Sequence, residues 1–193
     1  MIISAAFAEH AAVLEAAART LPPVLERASA AVIACLSRRG TVFACGNGGS
    51  ASDAQHLVGE LVGRFRAERR ALGAMALGTD PATLTAVAND YGYERVFARQ
   101  LEALARPGDL LVAISTSGNS PNVLAAVAAA RARELSIVAL TGAGGGRLGA
   151  LADVWLEAPS RVVARIQEVH GLCIHALCEA VDAALAKENH EPG

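Results

Sequence analysis

From residue 41 onward, short apolar runs alternate with amphipathic stretches. The apolar runs predict strands at residues 41–45, 73–77, 110–114, 136–140 and 153–157. The stretches between and after them predict helices at residues 50–65, 81–89, 93–105, 121–134 and 162–187. Strands that are apolar on both faces and separated by helices are typical of a covered parallel sheet. The pattern therefore predicts an α/β protein, a three-layer αβα sandwich with a five-stranded parallel sheet.

Two helices precede the first predicted strand. Residues 4–18 are rich in alanine, and a second helix over residues 22–39 begins at a proline pair and stops at Gly40. A chain of 193 residues fits a single domain. We therefore expect one domain over residues 1–193, with a helical segment at 1–40 followed by a parallel α/β core at 41–187.

Composition and charge argue against several classes of protein. The net charge of −2 gives no electrostatic basis for binding nucleic acid or an anionic membrane. No uncharged stretch approaches the roughly 18–20 apolar residues of a membrane span, and no signal peptide is evident. The four cysteines form no CxxC pair, which fits a reducing compartment. We expect a cytoplasmic protein with no nucleic-acid or membrane partner. The arginines between residues 64 and 70 are interpreted as a solvated helix end.

Two turns rich in glycine and hydroxyl groups carry the strongest functional signal. Residues 46–50 (GNGGS) follow the first predicted strand, and residues 115–120 (STSGNS) follow the third. Each turn leads into a helix, where unsatisfied N–H groups and the helix dipole favour an anion. In parallel sheets the ligand lies beyond the carboxyl ends of the strands. The two turns therefore predict a small, phosphorylated, hydroxyl-rich ligand.

Other interpretations of these turns are weaker. The first turn matches the GxGxxA form of a dinucleotide fingerprint, but Glu68 precedes the second strand and Asp80 lies too far along the chain to serve as its acidic partner. No Lys-Ser/Thr pair follows the glycines, so the turn is not a P-loop. In the second turn Ser120 is the expected N-cap of the helix at Pro121, and capping alone is the alternative to phosphate binding.

The helix after the first turn presents polar side chains on one face. His56 and Glu60 are four residues apart, and Asp53 lies one turn earlier on the same face. A surface ion pair is the alternative to a functional pair.

The C-terminal helix carries a second polar set at Gln167, Gly171 and His175. Glycine in a helix costs about 1 kcal/mol relative to alanine, so Gly171 indicates either an approaching ligand or tight helix packing. Two imidazoles, a carboxylate and an amide from the two helices suit a weak zinc site. Spacing alone does not establish that the helices meet.

The chain resembles the phosphoheptose isomerase family of sugar isomerase (SIS) domain proteins. Four segments carry the resemblance, namely residues 46–56, 89–92, 115–120 and 165–170, and it extends over essentially the whole chain. It implies a flavodoxin-like SIS domain that converts D-sedoheptulose 7-phosphate to D-glycero-D-manno-heptose 7-phosphate through an enediol, the first step of ADP-heptose biosynthesis. It also implies a homotetramer with active sites between subunits, packed through residues 1–40, with Arg64 reaching a neighbouring site.

The resemblance also implies roles for individual residues. The substrate contacts of the family correspond to Asn47, Gly48, Gly49, Ser50, Glu60, Asn89, Asp90, Ser115, Thr116, Ser117, Ser120 and Gln167. The family's zinc ligands, for one zinc per subunit, correspond to His56, Glu60, Gln167 and His175. Glu60 and His175 correspond to its acid/base pair, with Glu60 as carbon base and His175 as oxygen acid/base, or the reverse. Ala164 stands where some members have an aspartate, so a substrate contact from that position is absent.

A non-catalytic relative of the same fold, which binds a replication initiator protein, is the main alternative. It resembles this chain through residues 164–168, but it lacks the acid at position 60 and the histidine at position 175, and both are present here. A sugar-phosphate sensing domain of a regulator is disfavoured because the chain has no basic stripe. The enzyme is therefore the favoured hypothesis.

Overall fold

Five parallel strands form the central sheet of the computed structural model, which describes residues 1–186. The strands are β1 (Val42–Cys45), β2 (Ala74–Ala76), β3 (Leu110–Ser115), β4 (Ser136–Thr141) and β5 (Val154–Glu157). Every neighbouring pair is parallel, and the order is β2-β1-β3-β4-β5. The predicted sheet is confirmed, and each predicted strand end lies within one residue of the observed one.

Eight α-helices and one 3₁₀ turn accompany the sheet in residues 1–186. The α-helices are α1 (Ile2–Thr20), α2 (Pro22–Ser37), α3 (Gly49–Val62), α4 (Pro81–Tyr91), α5 (Ala98–Leu104), α6 (Pro121–Ala132), α7 (Gly146–Leu151) and α8 (Val163–Leu185); the 3₁₀ turn is Tyr93–Arg95. The predicted last position of the C-terminal helix and of the α/β core, residue 187, lies outside the described residues.

Two helix predictions need correction, and one helix was not predicted. The helix predicted over 93–105 is a 3₁₀ turn followed by α5, and Val96 and Phe97 are buried where the two meet. The helix predicted to reach residue 65 ends at Val62, because Gly63 leaves the helical conformation. Helix α7 was not predicted: it has six residues, two of them glycines, which are poor helix formers.

Successive side chains of a strand pack alternately into two hydrophobic cores, one on each face of the sheet. Along β3, Val112 and Ile114 join the core under α1, α2, α3 and α8, whereas Leu111 and Ala113 join the core under α4, α5, α6 and α7. Helix α3 follows β1 on one face, and α6 follows β3 on the other. The sheet order reverses between β1 and β3, and in doubly wound sheets the ligand crevice lies at such a switch point.

The segment between α3 and β2 is anchored to α8 by a buried ion pair. Asp182 accepts hydrogen bonds from the backbone N–H groups of Arg66 and Ala67 and from Nε of Arg69 at 2.7–2.8 Å. Burial raises the pKa of Asp182, but these hydrogen bonds outweigh burial and hold its pKa below the usual range. Arg69 is only 5% exposed, so the interpretation of this arginine cluster as a solvated helix end is wrong for Arg69.

All four cysteines are buried free thiols. Across residues 1–186, every helix is too short or too polar to serve as a membrane span.

Candidate functional site

The first turn brings the start of α3 against α8. Gly48, with a φ of +56°, occupies the position before α3. A Cβ on Gly49 would overlap the side-chain amide of Gln167, so any larger residue at position 49 would displace that amide from the turn. Ser50 is buried directly behind the turn. The structure thus brings Gln167 to the turn at which the substrate contacts Asn47 to Ser50 were predicted.

Further along the same two helices, three of the four predicted metal residues come together, and they include both predicted acid/base residues. The Nε2 atoms of His56 and His175 lie 3.2 Å apart, and their rings meet edge to face. Nε2 of His56 lies 3.3 Å from Oε1 of Glu60. Phe65 stacks on the ring of His175, with ring centroids 5.6 Å apart. The two polar helix faces therefore form one site, which spacing alone had left open.

The donor atoms match part of a zinc site. Ligands at about 2.0–2.2 Å from a tetrahedral zinc are about 3.4 Å from one another, close to the two distances from His56. Within residues 1–186 no ion pair of 4.0 Å or less joins Glu60 to His175, and no group of three His, Cys, Asp or Glu side chains stands ready as a metal site. The distances from His56 to Glu60 and from His56 to His175 therefore suit a zinc site. The Glu60 carboxylate would have to move to bring the distance from Glu60 to His175 into the same range.

Open space lies beside Gly171, between Gln167 and His175 on α8. A Cβ built on Gly171 meets no atom within 4 Å in the described part of the chain. Tight packing within the subunit therefore does not explain this glycine. On α3, one carboxylate oxygen of Asp53 is buried without a hydrogen-bond partner. Burial raises the pKa of Asp53, and His56 opposes that shift.

In the second turn, hydroxyl groups converge at the end of β3. The Oγ of Ser115 lies 2.9 Å from that of Ser120 and 3.5 Å from that of Ser117. Ser120 occupies the predicted N-cap position of α6, but its side chain makes no capping hydrogen bond. Its hydroxyl faces Ser115 instead, so the N-cap position of Ser120 is confirmed, whereas a capping role for its side chain, the alternative to phosphate binding, is not observed. Pro121 has no N–H, and the N–H of Val123 donates to Oδ1 of Asn122. The available donors are therefore chiefly the hydroxyls, which lie at the N-terminus of α6, where the helix dipole favours an anion. Thr116 lies half-buried beside them.

A glycine loop after β4 supports the second turn from behind. Backbone hydrogen bonds of 2.9–3.0 Å run from Leu148 to Gly118 and from Gly142 to Thr116. A Cβ on Gly118, where φ is +65°, would overlap the carbonyl of Gly145. The signal in the sequence is the run of glycines at residues 142–146, which follows a buried strand and is typical of a close backbone approach.

The predicted substrate residues Asn89 and Asp90 lie at the exposed end of α4. Nδ2 of Asn89 donates to Oδ1 of Asp90 at 2.7 Å. Within residues 1–186 no hydrogen bond joins either residue to the two turns. Their link to the site is indirect, because the hydroxyl of nearby Tyr93 donates to Asn47 at 3.1 Å.

Comparisons with known proteins agree on one family. The SIS domain model matches residues 7–142. The chain is 54% identical to a phosphoheptose isomerase of Thiobacillus denitrificans over 172 residues, which are 88% of this chain and 87% of that one. The structure of phosphoheptose isomerase from Neisseria gonorrhoeae has a TM-score of 0.89 at 46% identity, covering 94% of this chain and 97% of that one. For a phosphoheptose isomerase structure from Francisella tularensis the TM-score is 0.91 at 41% identity, with coverages of 94% and 96%.

Proposed function

The chain belongs to the phosphoheptose isomerase family of SIS domain proteins, and we propose that Glu60 and His175 carry out its isomerisation of D-sedoheptulose 7-phosphate to D-glycero-D-manno-heptose 7-phosphate. The observation that carries this proposal is the chain of short contacts from Glu60 through His56 to His175. It places a carboxylate and an imidazole at one site, beside a turn suited to a sugar.

The reaction moves a carbonyl group from C2 to C1 and needs two proton-transfer groups. Glu60 takes the proton from C1 of the ketose and returns it to C2 of the enediol. His175 gives a proton to the C2 oxygen and receives the proton of the C1 hydroxyl, so atoms and charge balance over the cycle. The side chain of Glu60 is 25% exposed, which leaves the carboxylate accessible to a bound sugar while removing part of its hydration.

The phosphate binds at the second turn. Its donors are the hydroxyls of Ser115, Thr116, Ser117 and Ser120, at the positive end of the α6 dipole. Residues 47–50 form the floor under the reacting end, and Asn89, Asp90 and Gln167 contact the sugar hydroxyls. The side-by-side position of β1 and β3 supports this arrangement, since both turns leave the same edge of the sheet.

Zinc would be held by His56, Glu60, Gln167 and His175, one ion per subunit. When bound, it would polarise the substrate carbonyl. The two donor separations near 3.3 Å support the site, and the amide ligand makes it weak. Titration with Co²⁺ tests the site without any assay of activity. We expect visible absorption typical of tetrahedral Co²⁺, and its loss in His56→Gln but not in His10→Gln; no such absorption in the unmodified protein would contradict the zinc site.

The assembly is a homotetramer with active sites between subunits, built in part from residues 1–40. Exposed apolar side chains on α1 support this, with Ile2 91%, Ile3 75% and Phe7 74% exposed, as does exposed Leu172 on α8. Arg64, whose side chain is 61% exposed, would reach a neighbouring site. Sedimentation equilibrium should give four times the chain mass of 19.7 kDa; a monomer at assay concentration would contradict it.

The enzyme works in the cytoplasm without a nucleic-acid partner. The net charge of −2 and four free thiols support both statements. Incubation of the purified protein with D-sedoheptulose 7-phosphate, with and without a chelator, tests the function directly. We expect the aldose product at least in the absence of chelator. Absence of product under both conditions would favour the initiator-binding alternative.

A further inference from the structure

The side-chain amides of Asn47 and Asn122 form a reciprocal pair across 75 positions of the chain. Nδ2 of Asn47 donates to Oδ1 of Asn122 at 2.9 Å, and Nδ2 of Asn122 donates to Oδ1 of Asn47 at 2.8 Å. Asn122 is only 2% exposed. Its Oδ1 also accepts from the N–H of Val123 at 3.0 Å, so its orientation is held from two sides.

The oxygen of the Asn47 side chain has no acceptor capacity left for a ligand. It accepts one hydrogen bond from Asn122 and a second from the hydroxyl of Tyr93 at 3.1 Å, which fills both lone pairs of an amide oxygen. Asn47 therefore contacts a sugar only through its remaining amide hydrogen or its backbone. Its side chain holds the first turn in place.

The pair bridges the two turns of the site. Asn47 lies in the first turn, and Asn122 is the second residue of α6, directly behind Pro121 at the end of the second turn. The regular pairing of β1 with β3 ends at Cys45 and Ala113, before either turn begins. Within residues 1–186, no other side-chain hydrogen bond joins residues 46–50 to residues 115–122.

We propose that Asn122 is a positioning residue, which acts through Asn47 to hold the reacting end of the heptose phosphate in register with its phosphate. This inference rests on the proposed function, because it takes the second turn as the phosphate site and the first as the floor of the reacting end. Asn122 does not contact the substrate. The serine hydroxyls of the second turn keep their contacts with one another when the Asn122 side chain is replaced. The replacement is therefore expected to displace the reacting end of the substrate and not its phosphate.

Misplacement of reacting groups by about 1 Å costs roughly 10²-fold in rate. The variant Asn122→Asp has the same shape and still accepts from Asn47 and Val123, but it turns an oxygen toward Oδ1 of Asn47 in place of a donor. We expect kcat to fall by about 10- to 100-fold, with KM changed by less than about 3-fold. Tyr93→Phe removes one of the two donors to Oδ1 of Asn47. We expect kcat to fall less in this variant than in Asn122→Asp.

The matched control is Gln55→Glu, which makes the same amide-to-carboxylate change on the exposed side of α3. We expect it to leave kcat and KM unchanged. Asn122→Ser is a second variant for the case in which the aspartate prevents folding. A normal kcat in a folded variant of lowered Tm would overturn the proposal in favour of a purely structural role. A rise in KM alone would overturn it in favour of a direct substrate contact.

A second readout separates this inference from the proposed function. In ¹⁵N-labelled protein, the side-chain amide signals of Asn47 should shift in Asn122→Asp and in Tyr93→Phe, and stay in place in Gln55→Glu. Unshifted signals would overturn the inference even if the protein is an active isomerase. Shifted signals in a protein without isomerase activity would leave the bridge intact and refute the proposed function alone.

Discussion

The imidazoles of His56 and His175 meet at 3.2 Å across 119 positions of the chain. This contact joins the polar face of α3 to that of α8 and places Glu60 in the same site. A carboxylate and an imidazole in one site are the groups that an enediol isomerisation needs.

The roles of the two groups can be separated by solvent exchange. In D₂O, Glu60→Gln should abolish exchange of the C1 proton of sedoheptulose 7-phosphate, because the carbon base is gone. His175→Gln should keep measurable exchange while product formation falls by about 10²- to 10⁴-fold. NMR of the sugar phosphate measures both. Exchange at the unmodified rate in Glu60→Gln would assign the carbon base to another group.

Gly171 and Gly59 form a matched pair of helical glycines. Neither has an atom within 4 Å of an added Cβ in the described residues. Alanine at either position should stabilise its helix by up to about 1 kcal/mol, measurable by urea unfolding. Only Gly171→Ala should lower kcat/KM, by tenfold or more, because its methyl group enters the space between Gln167 and His175. Equal activity in the two variants would show that ligand does not use this space.

The packing of the glycine loop at residues 142–146 against the second turn predicts that a substitution at Gly118 weakens substrate binding. Gly118→Ala introduces strain at a positive φ and an overlap with Gly145. Gly108→Ala introduces the same kind of strain, at a φ of +91°, with open space around the added Cβ. Backbone strain at the positive φ should lower the free energy of unfolding of both variants by about 1–2 kcal/mol. Only Gly118→Ala should raise KM, by at least tenfold. Unchanged KM in a folded Gly118→Ala would contradict the placement of the phosphate.

His170 predicts a loss of stability in mild acid. Its ring is 1% exposed and its Nε2 lies 3.1 Å from the carbonyl oxygen of Thr141. Burial lowers the pKa of His170 from 6.5 to about 4. Between these values the unfolded chain binds a proton that the folded chain does not, so stability falls as the pH drops from 6.5 toward 4. The full effect is about 3 kcal/mol.

Urea unfolding of the unmodified protein and of His170→Gln at pH 7 and pH 5 measures this contribution. Glutamine cannot titrate, so the variant should lose less stability on acidification than the unmodified protein. Identical pH dependence in the two proteins would contradict the assignment to His170.

The sheet was predictable because its physical signal is local. The central strands β1 and β3 are short apolar runs buried on both faces, and the alternation of strands with helices specifies parallel pairing. Helix α7 and the interruption before α5 were not predictable, because tertiary burial of Val96 and Phe97 and short glycine-containing segments leave no periodic pattern.

The candidate site was predictable in its parts and not in its assembly. The two turns and the polar helix faces carry recognisable residue types at regular spacing. The close approach of Gln167 to Gly49, the burial of Arg69 against Asp182 and the pairing of Asn47 with Asn122 depend on contacts between distant segments. An asparagine in the first turn of a helix has no distinctive spacing, so the role of Asn122 could not be predicted from the sequence.

The most direct test of the account is the rate at which the purified protein and its Glu60→Gln variant convert D-sedoheptulose 7-phosphate to D-glycero-D-manno-heptose 7-phosphate. We expect steady turnover by the unmodified protein, and a variant that still binds the sugar phosphate but is slower by at least about 10²-fold. Equal turnover by the two proteins, or none by the unmodified one, would contradict it.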